Sequence, residues 1–322
     1  MTAINSAYTT TVTTSQAVKN RYYDELFLRL AEKKFVHKQL GQLSRKVPQG
    51  QGGYGDYVLF WTKWVRLPTI TAGAGEGVPT SALTLSALNV TGSTAQYDSA
   101  VSISDIMAYA SFGDVMKSAV EQLAYQAGIT IDTLVRNTIS NSGTGQFASA
   151  VANWTSVPAG AKLTIGEIRK ATRTLQANDA IEQDDGSWIA VVHPHAVYDL
   201  QGDSSTGGWV EANKYTEGRE GMLTGEIGKL YGVRFLESSN AYVRGTGVVA
   251  SASIYVTSIF GKDAFGVSEL QSLKTFVKPF GSAGVADPTD KIATAGWKTL
   301  FGTNVLNSSF YVNINHAVTT TA

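Results

Sequence analysis

The chain has 322 residues, 43% hydrophobic and 16% charged, and its 26 basic and 26 acidic side chains cancel. That is enough apolar material for one large or two medium domains, and the balance lacks the positive excess of a dedicated nucleic-acid binder. The lack of cysteine excludes disulfides, thiolate catalysis and Cys-ligated metal centres, and no apolar run approaches the roughly 18 residues of a membrane span.

A weakly charged chain of this size is prone to associate. The start, MTAINSAYTTTVTTSQ, has no basic region followed by an apolar one, so no secretory signal is expected. Residues 1 to about 18, rich in Thr and Ser, are expected to form a mobile or partner-ordered arm. From Tyr22 to Leu40 a helix is predicted, with Leu26, Leu30 and Phe35 on one side and Glu25 four residues before Arg29. Residues 1–50 hold eight Lys or Arg against three acids. This excess reads first as a solvated helix face. Its second reading is a surface that meets phosphates by charge alone, through Lys33, Lys34, Lys38, Arg45 and Lys46.

PQGQGGYG (Pro48 to Gly55) matches the G-x-G-x-x-G spacing at Gly50, Gly52 and Gly55. A dinucleotide turn needs a strand before it and a helix after it, whereas a helical pattern precedes this one and the β-prone YVLFWTKWVRL follows. Gly50, Gly52, Gly53 and Gly55 are therefore expected to form a hinge. Tyr57–Leu67, which includes Phe60, Trp61 and Trp64, and Val90–Ile103, with Tyr97 in its alternating pattern, predict a long two-stranded excursion. Such a hairpin is marginal alone in water and needs a cover, from its own body or from a neighbouring subunit.

The longest helical pattern runs from Ser111 to Asn141, with Met116, Val120, Leu123, Ala127, Ile131 and Leu134 on one stripe and Ser111 and Asp114 as a capping-box-like start. A helix of that length spans roughly 40 Å and suggests a spine joining separate regions. Thr164 with Glu167 predicts a second capping box, ahead of a helix carrying Ile165, Ile168, Ala171 and Leu175. An α/β region is predicted from about Ala180. In it WIAVV (Trp188–Val192) is a buried strand ended by His193-Pro194, AVYDL begins a helix, Gly225–Gly232 is a connection, and Val233–Leu236 and Ser253–Phe260 are strands. Strand patterns at Leu270–Phe280 and Phe310–Ile314 predict a return beside the spine.

His193 and His195, one residue apart at a strand end, are the only catalytic or metal candidates. The other two histidines lie near opposite ends of the chain and nothing marks a third ligand, so a capped strand-to-helix turn is the plainer reading. No nucleophile elbow, phosphate loop or H-E-x-x-H is present, and Asp184-Asp185 sit in a turn composition.

The order of these parts resembles the major capsid protein family of tailed bacteriophages. The resemblance rests on LGQLSRKVPQGQGG (Leu40 to Gly53), GEGVP (Gly75 to Pro79), QLAYQAGITIDTLVRN (Gln122 to Asn137), VVHPHAVYDL (Val191 to Leu200), GEIGKLYGVRFLESSNA (Gly225 to Ala241), FGKDAFG (Phe260 to Gly266) and DPTDKIATAGWKTLFGTNVLN (Asp287 to Asn307). It implies an α+β tailed-phage capsid fold with an N-terminal arm, a long extended β-hairpin loop, a long spine helix with a peripheral β-sheet, and an α/β axial domain. On this chain those parts are residues 1–46, the loop 47–105, a peripheral domain of 106–179 and 266–322 containing the spine 111–141, and an axial domain of 180–265.

The resemblance also implies self-assembly through hexamers and pentamers into an icosahedral shell around double-stranded DNA, and a place in the virion after assembly in the host cytoplasm. It brings no catalytic residue, metal, cofactor or membrane. Phe60, Trp61, Trp64 and Tyr97 would meet a neighbouring subunit, and the basic residues named above would face DNA. Too few residues precede the fold to act as a scaffolding segment, so a separate scaffold protein is expected, with portal and decoration proteins as further partners. Two alternatives stay open: a cellular compartment shell of the same fold, and a metal-dependent enzyme built on His193 and His195.

Overall fold

The computed structural model describes residues 11–32, 34–43, 58–71, 73, 77, 79, 82–111, 113–202, 226–246, 253–282 and 287–319. The expected hinge (Gly50, Gly52, Gly53 and Gly55) lies outside the described residues, as do Lys33, Arg45 and Lys46.

Helix α1 (Thr11–Glu32) starts earlier than the sequence predicts and stops at Glu32, and the last part of the predicted helix is a separate 3-10 turn, Lys38–Leu40. Its buried residues are Phe27 and Ala31, while Leu30 only packs against the core margin. The strands β1 (Gln42–Leu43), β2 (Val58–Trp64), β3 (Ala87–Ser93) and β4 (Ala95–Ser104) follow. The Ser104 hydroxyl accepts the Met107 N–H and starts a short helix, α2 (Asp105–Ala110).

The spine α3 (Val115–Ser140) has 26 residues, hence a length of roughly 39 Å. Its cap differs from expectation. Asp114 alone is the N-cap, accepting the Lys117 N–H at 3.1 Å, whereas Ser111 ends α2. Val120, Leu123, Ala127 and Ile131 are buried as the stripe predicts, with Met116 and Leu134 at its margin.

Next come β5 (Thr144–Phe147) and α4 (Ile165–Ala177), which buries Ile165, Ile168, Ala171 and Leu175. The predicted capping box at Thr164 does not form, because the Glu167 carboxylate is occupied by Lys170 Nζ at 2.7 Å and Gln146 Nε2 at 2.6 Å. Then follow β6 (Trp188–Val192), α5 (Pro194–Gln201), β7 (Glu226–Leu230), β8 (Val233–Glu237), β9 (Val243–Thr246), β10 (Ser253–Phe260), β11 (Phe265–Lys278), β12 (Ile292–Val305) and β13 (Tyr311–His316). The Gly225–Gly232 stretch, expected as a connection, is mostly β7; Tyr231 and Gly232, both at positive φ, turn it back onto β8.

Two larger sheets share the spine. One has the order β1-β11-β12-β4; the other is seven-stranded, β5-β13-β10-β6-β8-β7 with β9 on β10. In the seven-stranded sheet Ile189, Val191, Leu236 and Phe260 join the core beneath α1 and α3. Trp188, Ala190, Val192 and Phe235 face α4 and α5 on the other side. Burial on both faces is why WIAVV is apolar throughout. Of the strands expected to return beside the spine, β11 packs against α1, and β13, hydrogen-bonded to β10 in the seven-stranded sheet with β5 parallel to it, reaches the end of the spine through Asn313 Nδ2, which donates to the Ile139 carbonyl at 2.9 Å; β12, which was not expected, packs on the spine itself.

Candidate functional site

One element with little support from its own chain is the ribbon formed by β2 and β3, paired antiparallel from Val58–Ser93 to Trp64–Ala87. The sequence predicts one long hairpin with Val90–Ile103 as its second strand. Instead that stretch divides at Thr94: β3 pairs with β2, and β4 pairs with β12 from Ala95–Phe301 to Ser104–Ile292. The reason is that β12 offers β4 a full ladder along a packed sheet, ten residues long from Ala95 to Ser104.

The four expected contact aromatics do not behave alike. Trp61 is only 6% exposed, and its indole lies over Gly266 and Gly92. A Cβ on Gly266 would come within 2.5 Å of the indole, so that position has room for glycine only. Within its own subunit Trp61 thus acts as an anchor of the ribbon on the body. Tyr97 packs at the margin of the spine core. Phe60 pairs with Thr91 in the ribbon. Trp64 does stand out, 60% exposed, and beyond it Ile70 is 71% exposed, with Leu67, Leu83, Leu85 and Leu88 also exposed.

Between ribbon and body lies a groove of about 600 Å³ lined by Trp61, Lys63, Leu88, Ile181, Leu306 and Phe310. Asn304 Nδ2 donates to the Thr91 carbonyl at 2.6 Å and ties the ribbon base to β12. Arg66 donates to the Asp179 carboxylate at 3.1 Å, an exposed pair that adds little stability. A second unsupported element is α2, with no buried residue and Tyr109 89% exposed beside Ile106 and Met107.

The described basic candidates are partly committed within the subunit. Lys38 pairs with Glu269 and lies over the Phe35 ring, and Lys34 sits 4.7 Å from the Tyr125 ring centroid.

His193 and His195 do not converge on a point. Nδ1 of His193 accepts the His195 N–H at 3.2 Å as the cap of α5, and the two rings stack with centroids 4.8 Å apart. Burial, then the neighbouring His195, hold His193 below its ordinary pKa. Among the described residues no three His, Asp or Glu gather as a metal site. His316 is fully buried, hydrogen-bonded to Thr257 and to the Ala317 carbonyl, and burial pushes its pKa down to about 4.

Sequence reasoning gave no structural role to two carboxylates that the fold uses. Asp199 accepts from Thr319 N at 2.7 Å and from Lys162 Nζ at 3.2 Å, fastening the last described residue to α5. Asp132, fully buried on α3, receives His37 and Asn240. Its burial favours the neutral acid, but the His37 and Asn240 hydrogen bonds outweigh that and hold its pKa below the usual carboxylate range. The available signal was a lone acid beside Ile131 in an apolar stripe.

A family model described as phage capsid protein matches residues 88–309. Among solved structures, the capsid of Ralstonia phage GP4 aligns with a TM-score of 0.69 at 13% identity, covering 84% of this chain and 86% of that one. The cyanophage Pam1 capsid asymmetric unit aligns with a TM-score of 0.62 at 17% identity over 83% and 86%, and the capsid of cyanophage P-SCSP1u with 0.60 at 15% over 86% and 87%. No curated protein matches by sequence. At these identities the structural likeness is one of fold.

Proposed function

The chain belongs to the phage capsid protein family, as a structural and non-enzymatic component of the virion capsid, and from that premise we propose that it assembles through hexamers and pentamers into a closed icosahedral shell enclosing double-stranded DNA. The observation that carries this reading is the ribbon. Trp64, Leu67, Ile70, Leu83, Leu85 and Leu88, on the ribbon and the segments that continue it, are apolar side chains that the described subunit leaves largely exposed. Transferring such a surface from water onto a neighbour is favourable, at about 25 cal/mol per Å² buried. Repeated around a ring, several modest contacts per subunit make closure cooperative.

In this reading residues 47–105 are the extended loop that reaches a neighbour, 180–265 face the capsomer centre, and 106–179 with 266–322 form the periphery. Contact with DNA is non-specific and made through backbone phosphates. Scaffold, portal and decoration proteins are the further partners, and assembly takes place in the host cytoplasm.

The test is negative-stain electron microscopy with native mass determination on the full chain, expressed alone and with its neighbouring genes. Rings or closed shells that protect double-stranded DNA from nuclease are expected. A monodisperse monomer under both conditions would sink the reading, and shells filled with protein and free of nucleic acid would replace it with a cargo compartment.

A further inference from the structure

Asp132 joins three parts of the chain that are far apart in sequence. Its Oδ1 accepts the backbone N–H groups of Val36 at 2.9 Å, His37 at 2.7 Å and Lys38 at 3.4 Å. Its Oδ2 accepts His37 Nδ1 at 2.8 Å and Asn240 Nδ2 at 3.0 Å. The first set holds the segment that follows α1; the last bond reaches the turn between β8 and β9.

Asn240 is itself fixed from the spine. Arg136 Nη1 donates to its carbonyl and to its Oδ1, both at 2.9 Å, and Thr133 Oγ1 donates to that Oδ1 at 3.2 Å. None of the hydrogen bonds described for Asn240 reaches residues 34–38. Among the described residues, the hydrogen bonds that link the two flanking segments run through the carboxylate between them.

A fully buried carboxylate is tolerated only while its lone pairs are satisfied. Removing one donor makes the dry site unfavourable, and hydrating the oxygen requires one of the covering segments to lift. Because His37 supplies both a backbone and a side-chain donor, the N-terminal segment has most to lose when the site opens.

We propose that Asp132 is a relay coupling the docking of the N-terminal segment on the spine to the position of the 238–241 turn, so that release of either loosens the other. This does not depend on the shell reading. Coupling of this kind is reciprocal. Displacement of the turn in an assembling subunit would thereby be transmitted to the arm through the carboxylate.

The test is hydrogen exchange on the full chain near neutral pH, with Asn240→Ala and His37→Ala each compared with the parent in the same state of assembly. Both variants leave the Asp132 side chain in place. Asn240→Ala is expected to speed exchange of the amides of residues 36–38 by about fivefold or more, and His37→Ala to speed that of 240–241 comparably. Amides in the middle of α4, remote from the network, are expected to keep their parental rates. If Asn240→Ala loosens its own turn and leaves residues 36–38 within roughly twofold of the parent, the relay is refuted. Equal acceleration at α4 would also refute it, since that reports global destabilisation.

Discussion

Trp61 and Trp64, three residues apart on one strand, meet opposite surroundings. Trp61 fills a site made by two glycines, so Trp61→Ala is expected to lower subunit stability by about 3–5 kcal/mol through the cavity it leaves. Trp64→Ala is expected to stay within about 0.5 kcal/mol of the parent, because most of the side chain is exposed in the described subunit. Denaturant unfolding of dissociated subunits checks both, and particle yield is expected to fall for Trp64→Ala despite its intact fold. Gly266→Ala adds a Cβ against the indole and is expected to cost about 1–3 kcal/mol in the same assay.

His316 supplies a pH dependence. Its imidazole stays neutral in the fold down to about pH 4, whereas the unfolded chain takes up that proton at the ordinary histidine pKa. Stability is therefore expected to fall by roughly 3 kcal/mol as pH drops from about 6.5 to about 4. His316→Asn is expected to flatten that slope whatever it does to stability at neutral pH. An unchanged slope would place the proton uptake elsewhere.

At the scale of elements, the spine was legible because its stripe repeats over the whole helix and all but its two margin positions are buried. Its cap was read one residue group too wide. Asp114 alone bonds the first turn, so Asp114→Ala is expected to cost about 1 kcal/mol, visible as faster exchange at the start of α3, and Ser111→Ala much less. The N-terminal helix was placed too far along the chain because the N–H groups of residues 36–38 are taken by the Asp132 carboxylate, a tertiary act with no local signature. β12 went unpredicted for a different reason. It alternates, but its buried positions include Ala293, Ala295 and Thr299, which carry too little hydrophobicity to mark a period beside Trp297 and Phe301.

At the scale of the whole molecule, a net charge of zero and an apolar ribbon make association the natural outcome. If burial of the ribbon drives that association, particles are expected to persist when salt is raised from about 0.1 M to about 1 M, as the screening length shrinks from about 10 Å to 3 Å. Light scattering on purified particles checks this. Dissociation in high salt would place the binding energy in ion pairs instead.

The sequence by itself determined that a packed core could form, that a long amphipathic helix runs through it, and that Trp188–Val192 is buried on both faces. These properties are written in periodicity and composition, which act over a few neighbouring residues. Only the tertiary structure decided which strand takes which partner, that β4 leaves the ribbon for β12, and that Trp61 turns inward while Trp64 does not. Those outcomes depend on which surfaces compete for the same partner across hundreds of residues, and no local pattern records the result of that competition.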